Sequence, residues 1–189
     1  MTIPLPSTCE SISQIESALD ASTHEVRVAW IAGLKKREQS ALYDLAGSAD
    51  PMPLDALCGE EGEVVIHEGK NTLPLFTRFQ KRFVMRSGVV QGYNHNPDWM
   101  MAFTGPGHFT CQMGEAGVFI DYTQMPTDVP EEFPALVDND GGMRKLVFGG
   151  LEDRVRRVSR HCTIGEARKG GKSMGQWFVL MRVDQPPPV

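Results

Sequence analysis

Four side chains that could transfer protons lie on or directly after predicted strands. The pair Asp121-Tyr122 ends one predicted strand, His95 directly follows another, and His161 lies within a third, after a run of arginines. Such groups act in general acid/base catalysis when they reach a substrate proton and have a pKa close to the working pH. His161, Asp121, Tyr122 and His95 are therefore the candidate catalytic residues of a cofactor-free lyase, isomerase or cyclase.

A second set of residues could hold an organic molecule without transforming it. Aromatic rings provide apolar contact, and histidine, tyrosine or arginine can orient a polar end. An arginine that faces the interior of a fold needs an anion as its partner, which the ligand itself could supply. The alternative for the polar residues before Trp99 is an ordinary capped loop. The candidate ligand-binding residues are Trp99, Tyr93, His108, Arg157, Arg82 and Trp177.

The charges are distributed unevenly along the chain. Residues 1–143 contain 9 Lys and Arg against 20 Asp and Glu, whereas residues 144–189 contain 10 against 4. A basic segment in an acidic protein is either a solvated face or a site for an anion. Nucleic-acid binding is the least favoured function, because the segment from Arg154 to Lys172 lacks the aromatic residues of a stacking platform.

Metal, cofactor and nucleophile motifs are missing from the sequence. His108 and Cys111 are three residues apart on one predicted strand and so point to opposite faces, which disfavours a shared metal. No G-x-S-x-G motif occurs, and Gly105-Pro106-Gly107 is a turn without the features of a phosphate loop. Neither a metal nor a cofactor is expected, and the four cysteines are expected to be isolated thiols.

The first part of the chain has the pattern of a helical arm over residues 10–46. Apolar residues recur at spacings of three and four, and Gly47 is a suitable C-terminal cap. A single apolar stripe must pack on another surface. The stripe is expected to cover a sheet or a barrel, and the alternative is a helix that forms a homodimer.

From Glu61 onward the hydrophobic period changes to two, which predicts strands. A short helix is predicted at Leu75–Gln80, and the segment 123–142 is predicted to be a flap with a helical turn near Glu131–Val137. The predicted extended segments are Val64–Gly69, Lys81–Arg86, Val89–Asn94, Trp99–Thr104, His108–Met113, Val118–Tyr122, Leu146–Phe148, Arg154–Ala167 and Met174–Asp184.

Eight or nine such strands close most simply into an antiparallel up-and-down barrel spanning residues 61–184, within a single domain of residues 1–189. This mainly β architecture with a helical arm resembles the calycin barrels, the lipocalin and fatty-acid-binding superfamily. Lipocalins have a G-x-W motif on their first strand, whereas Gly175-Gln176-Trp177 lies on the last strand here, so no residue roles are transferred. The resemblance implies an enclosed small apolar ligand.

The expected partner is therefore a small amphiphilic or aromatic molecule, such as a lipid, with an anionic group. The chain contains no apolar run of 18 residues, so no membrane span is expected. Its first residues lack the basic and apolar regions of a secretory signal, which predicts a cytoplasmic protein.

Overall fold

Eight antiparallel strands form a closed barrel in the computed structural model, which describes residues 2–114 and 117–184. The strands are β1 (Val65–Asn71), β2 (Arg78–Arg86), β3 (Val89–His95), β4 (His108–Gly114), β5 (Gly117–Asp121), β6 (Leu151–Arg157), β7 (Cys162–Lys169) and β8 (Lys172–Arg182). Each strand pairs with the next along the chain, and β1 pairs with β8 to complete the closure. The predicted mainly β, antiparallel barrel is confirmed.

Alternate residues of each strand point into the barrel, because successive side chains lie on opposite faces of a strand. Phe83 of β2 is paired with Val65 of β1 on one side and with Gly92 of β3 on the other, and these positions face inward together. One half of the interior is filled by a buried apolar cluster. Its strand members are Phe83, Val90, Phe109, Cys111, Val118, Ile120, Val155, Phe178 and Leu180.

Three helices precede the barrel and cover the outer face of β7 and β8. They are α1 (Ile12–Asp20), α2 (His24–Gly33) and α3 (Lys36–Leu45), in the region where the sequence predicts a helical arm. Their apolar side chains form one buried cluster with Ile164 and Val179 of the barrel. The Arg27 guanidinium of α2, which is almost fully buried, lies 2.5 Å from the Asp184 carboxylate beyond β8. The apolar stripe of the arm therefore packs on the barrel, as predicted.

Two segments predicted to be extended are helices instead. Trp99–Thr104 belongs to α4 (Asp98–Thr104), and Leu146–Phe148 belongs to α5 (Met143–Phe148). Each helix ends at a glycine, and the one after α4, Gly105, has a φ of 70°. Both apolar runs are too short for their period to distinguish a helix from a strand, which is why the prediction was wrong.

Two further predictions need correction. The helix predicted at Leu75–Gln80 is absent, because Phe76 has a positive φ of 56° and β2 has begun by Arg78. The long strand predicted from Arg154 to Ala167 is two strands, β6 and β7. A tight turn separates them, in which the amides of Val158 and Ser159 both donate to the carbonyl of Cys162.

The two ends of the barrel differ. A 3-10 helix, Leu54–Leu57, closes the end beside the filled half, with Leu57 and Cys58 buried in the apolar cluster. Around the other end stand α4, α5 and the loop of residues 72–77. Phe76 of this loop and Trp99 of α4 are in edge-to-face contact, with ring centroids 5.1 Å apart. This second end is the open one.

The segment 123–142 contains no strand, as predicted, but it does not lie over the open end. It packs against the outer face of β2–β4, where Phe133 contacts Tyr93 with ring centroids 4.7 Å apart. The buried Asn139 amide donates to the carbonyls of His108 and Tyr122 at 2.7 and 2.8 Å. No helix forms at Glu131–Val137, and what the structure shows there is a single turn, in which the Phe133 amide donates to the Pro130 carbonyl at 3.0 Å. The expected flap is an outer layer of the barrel wall.

A buried histidine in the filled half makes the fold sensitive to acid. His67 is 2% exposed, and its Nε2 lies 2.9 Å from the Leu57 carbonyl oxygen. Burial lowers the pKa of His67 from 6.5 to about 4. The folded protein therefore binds this proton less readily than the unfolded chain, so the stabilisation is complete above pH 6.5 and is lost as the pH falls toward 4.

We expect His67 alone to reduce the free energy of unfolding by about 3 kcal/mol between pH 6.5 and 4. A His67→Gln variant retains an N–H that can donate to the Leu57 carbonyl, but its side chain does not titrate. Between pH 6.5 and 4, its free energy of unfolding should therefore fall by about 3 kcal/mol less than that of the unchanged protein. Urea unfolding of both proteins at a series of pH values measures the difference. Parallel pH profiles for the two proteins would contradict this account of His67.

Candidate functional site

A cavity of about 540 Å³ occupies the open half of the barrel. Its walls are mostly apolar and aromatic, and its rim is formed by α4, α5 and the loop of residues 72–77. Several rim side chains are exposed, among them Leu75 at 67% and Phe103 at 66%. Solvent-exposed apolar side chains at the mouth of an apolar cavity provide a continuous surface for the entry of an apolar molecule.

A group of buried polar residues forms the inner end of the cavity. This polar cluster consists of Lys81 of β2, Asn94 of β3, Tyr122 after β5 and Asp153 of β6, and each is less than 7% exposed. Lys81 Nζ donates to Asn94 Oδ1 at 2.8 Å and to the Tyr122 hydroxyl oxygen, and it lies 3.4 Å from Asp153 Oδ2. The Tyr122 hydroxyl in turn donates to Asp153 Oδ2 at 3.2 Å. The cluster satisfies its own hydrogen bonds while its members line the cavity.

Aromatic rings surround the ammonium group of the polar cluster. This aromatic cage consists of Phe79, Phe109, Tyr122 and Phe178, whose ring centroids lie 5.0 to 5.8 Å from Lys81 Nζ. Cations are attracted to the faces of aromatic rings at such distances. The cage therefore excludes water from the Lys81 ammonium group, and its cation–π attraction offsets part of the free-energy cost of burying that charge.

Inward-facing glycines determine where three rings of the aromatic cage lie. The ring of Phe79 packs against Gly69 of β1, that of Phe109 against Gly92 of β3, and that of Phe178 against Gly165 of β7. A Cβ atom at these glycines would lie 2.6, 2.8 and 2.1 Å from the nearest ring atom. Because real Cβ atoms do not approach so closely, only glycine lets the rings lie flat against the neighbouring strand.

Burial changes the protonation equilibria of the polar cluster. It lowers the pKa of Lys81 and raises the pKa of Asp153, and in both cases the attraction between the two groups opposes the effect of burial. Burial also raises the pKa of Tyr122 well above 10. Each residue is thus biased toward its neutral form, which is the condition under which an amine can act as a nucleophile or a base.

Three of the residues predicted from the sequence border the cavity. Tyr122 belongs to the polar cluster, and Trp99 stands half exposed at the rim beside Phe76. Trp177 borders the cavity from β8, but its indole packs with the outer helical cluster, and Lys36 Nζ lies 5.7 Å from the ring centroid. Tyr122 is the only predicted catalytic residue among those that line this cavity in the described part of the chain.

Three other predicted residues lie on the outer side of the wall, beneath the segment 123–142. Tyr93 packs against Phe133, and Arg82 lies with its guanidinium carbon 6.0 Å from the Tyr93 ring centroid. His108 is fully buried, with its Nε2 3.3 Å from the Ala135 carbonyl oxygen. Their strand neighbours Asn94 and Phe109 face inward, so alternation places these three outside.

The four remaining predicted residues have separate partners. Arg157 is paired with Glu16 of α1 at 2.6 Å, and His161 Nδ1 lies 3.5 Å from Asp184 Oδ1. The Asp121 carboxylate accepts from the amide and hydroxyl of Thr123 at 2.8 and 2.6 Å, as in a turn. His95 borders a second depression of about 460 Å³ outside the barrel, between α2 and β1–β2. The structure does not bring these four together.

Sequence reasoning missed Lys81, Asn94 and Asp153 as site residues. Lys81 stands between Phe79 and Phe83 on one strand face, and Asp153 stands between Leu151 and Val155 on another. A charged residue flanked at i−2 and i+2 by large apolar residues on a half-buried strand is the signal that could have identified both.

Comparisons with protein-family models, with curated proteins and with solved structures give no match. Within residues 2–114 and 117–184, no group of three or more His, Cys, Asp or Glu side chains is placed to hold a metal ion. None of the helices in the same ranges is long and apolar enough to cross a membrane.

Proposed function

We propose that this barrel binds a small, elongated, apolar or aromatic molecule whose one polar group reaches the polar cluster. The observation that carries this proposal is an apolar cavity of about 540 Å³ that leads from an exposed apolar rim to Lys81, Asn94, Tyr122 and Asp153. Ligand sites commonly combine such a volume and lining with a few convergent polar groups. The calycin-like character of the fold is part of the same proposal.

The polar group of the ligand is a neutral carbonyl or hydroxyl rather than a carboxylate. Lys81 already has Asp153 as its counterion, so the cluster has no surplus positive charge for an anion. A ligand carboxylate placed near Lys81 would also be close to the Asp153 carboxylate, and like charges in a desolvated site repel strongly. The anionic ligand expected from the basic run at Arg154–Arg160 is thus replaced in this proposal by an uncharged one.

Filling the cavity is expected to weaken binding without unfolding the barrel. Ala167 of β7 lines the cavity and is paired with Asp153 across the sheet, so an Ala167→Phe side chain would occupy space next to the polar cluster. We expect saturable 1:1 binding of 1-aminoanthracene, a neutral fluorophore, to the unchanged protein. The Ala167→Phe variant should bind at least tenfold more weakly, a loss of about 1.4 kcal/mol.

The matched control is Ala102→Phe, which makes the same change at an exposed position of α4 outside the cavity lining. Its affinity should equal that of the unchanged protein, and thermal unfolding of all three proteins should show that each is folded. Equal affinities for both variants, or no saturable binding across a set of neutral aromatic and aliphatic probes, would refute the proposal.

A second candidate function is cofactor-free acid/base catalysis in the same cavity. It is favoured by the contact among Lys81, Tyr122 and Asp153, three titratable groups that burial shifts toward their neutral forms. Mass spectrometry of a bound ligand after incubation separates the two functions. A carrier returns the molecule unchanged, whereas an enzyme converts it at a rate that Tyr122→Phe reduces.

A further inference from the structure

We propose that Lys81 forms a reversible covalent imine with a ligand that carries an aldehyde or ketone at its polar end. This inference rests on the proposed binding function and specifies its ligand class. Among the described residues that line the cavity, Lys81 is the only lysine, and its Nζ lies at the inner end of the cavity. An elongated apolar carbonyl compound that fills the cavity would bring its carbonyl carbon to this amine.

The surroundings of Lys81 meet the requirements of imine formation. A nucleophilic lysine must be available as the free amine, and desolvation in an apolar pocket is a known way to achieve this. The aromatic cage provides the apolar surroundings, while Asn94 and Tyr122 hold Nζ in place through hydrogen bonds. Lys81 is 2% exposed, so competing hydrolysis by bulk water is limited.

The reaction balances without an oxidant or a reductant. The neutral Lys81 amine attacks the carbonyl carbon, a carbon–nitrogen bond forms, and a proton passes from nitrogen to the former carbonyl oxygen to give a carbinolamine. The proton that Lys81 gives up to become neutral passes to Asp153, whose pKa is raised by burial, and the resulting carboxyl group can donate it to the hydroxyl group that leaves. The carbon–oxygen bond breaks, one water is released, and the imine remains. A protonated imine would then have the Asp153 carboxylate as its counterion.

Asp153 favours this ligand class over acids and phosphates. Its Oδ2 lies 3.4 Å from Lys81 Nζ and 3.2 Å from the Tyr122 hydroxyl, so it occupies the position that an anionic ligand group would need. A carbonyl group brings no charge of its own. As a carboxylate, Asp153 would repel an acid; once it has accepted the proton from Lys81, it can donate that proton during imine formation and then serve as the counterion of the protonated imine.

The test uses the intact protein with 2-naphthaldehyde and, in parallel, with 2-naphthalenemethanol, which has the same ring but no carbonyl. After incubation with sodium cyanoborohydride, which reduces imines to stable amines, intact mass spectrometry and peptide mapping locate the adduct. We expect one adduct per chain, at Lys81, with labelling at least tenfold above that of any other lysine. Lys81→Arg should abolish it, and Lys70→Arg, a change at a half-buried lysine beside the other depression, should leave it unchanged.

The outcomes distinguish this inference from the proposed function. Mapping the adduct in the unchanged protein needs no variant, so misfolding of Lys81→Arg would not affect the result. Saturable binding of the alcohol together with no adduct at Lys81 would overturn the imine and leave the binding function intact. Adducts spread over exposed lysines would also overturn it. Absence of binding by both compounds would count against the binding function itself.

Discussion

Replacing Lys81 by methionine is expected to reduce the free energy of unfolding by about 3–5 kcal/mol at pH 7. The change leaves the Asp153 carboxylate, which is 3% exposed, without its counterion in an apolar surrounding. Methionine has a similar length and fits an aromatic cage, so packing is largely retained and the loss is mainly electrostatic. Urea unfolding followed by tryptophan fluorescence measures it.

The cost of Lys81→Met should depend on pH, and the direction follows from Asp153. Burial raises the pKa of Asp153 above 3.8, and Lys81 is the main influence that opposes this. In the variant the pKa therefore rises further, so the folded state binds the proton more tightly than the unfolded chain. Its stability is complete below pH 3.8 and declines as the pH rises toward the folded pKa, by about 1.4 kcal/mol per pH unit.

We therefore expect Lys81→Met to be much closer to the unchanged protein at pH 4.5 than at pH 7.5. The control is the double variant Lys81→Met, Asp153→Leu, which removes both charges at similar volume. It should recover most or all of the lost stability, because replacing a whole buried ion pair by apolar residues is often neutral or favourable. Equal deficits at both pH values, or a double variant less stable than the single one, would contradict the electrostatic explanation.

Gly165→Ala is the second change with a large expected effect, a loss of about 1–3 kcal/mol. The new Cβ would lie 2.1 Å from Cζ of Phe178, so the ring must leave the wall and turn toward the cavity. The φ of Gly165 is not in the left-handed region, which means that the cost is steric rather than conformational. The displaced ring should also weaken 1-aminoanthracene binding.

Two comparisons isolate the contact between Gly165 and Phe178. Gly33→Ala, at the end of α2, adds the same methyl group where, apart from its chain neighbours and its own helix backbone, no atom of the described residues lies within 4 Å. It should be neutral or slightly stabilising. In a Phe178→Leu background, Gly165→Ala should cost less than it does alone, since the smaller side chain can move aside. If the effects of Gly165→Ala and Phe178→Leu on the free energy of unfolding are additive, the Phe178 ring is not the reason why glycine is needed at position 165.

The barrel itself could be predicted from the sequence because its strands alternate clearly between apolar and polar residues. Lys81–Arg86 and Val89–Asn94 were predicted as partners across a tight turn, and they are paired in β2 and β3. The strands predicted at Trp99–Thr104 and Leu146–Phe148 are helices, because apolar runs this short do not show whether their period is that of a helix or of a strand. These two helices surround the cavity mouth, so the sequence indicated the barrel but not what surrounds its opening.

The site was harder to predict, because the alternation of side chains along a strand defines two faces but does not show which face points into the barrel. Tyr93 and His108 have side chains suited to ligand binding, yet they alternate with the inward-facing Asn94 and Phe109. Arg157 does share a strand face with Asp153 and Val155, but it stands at the end of β6, where α1 supplies Glu16 as its partner. The residue at which a strand leaves the barrel depends on the register of all the neighbouring strands. A local sequence pattern does not specify that register.

The position of the helical layer also has a consequence for synthesis of the chain on the ribosome. Helices α1–α3 are made well before β7 and β8, yet these two strands provide the surface on which their apolar side chains are buried. Translation adds about 5–20 residues per second, so the helical segment remains without its packing partner for several seconds. During that interval its apolar side chains are available to chaperones, and completion of the barrel ends that exposure.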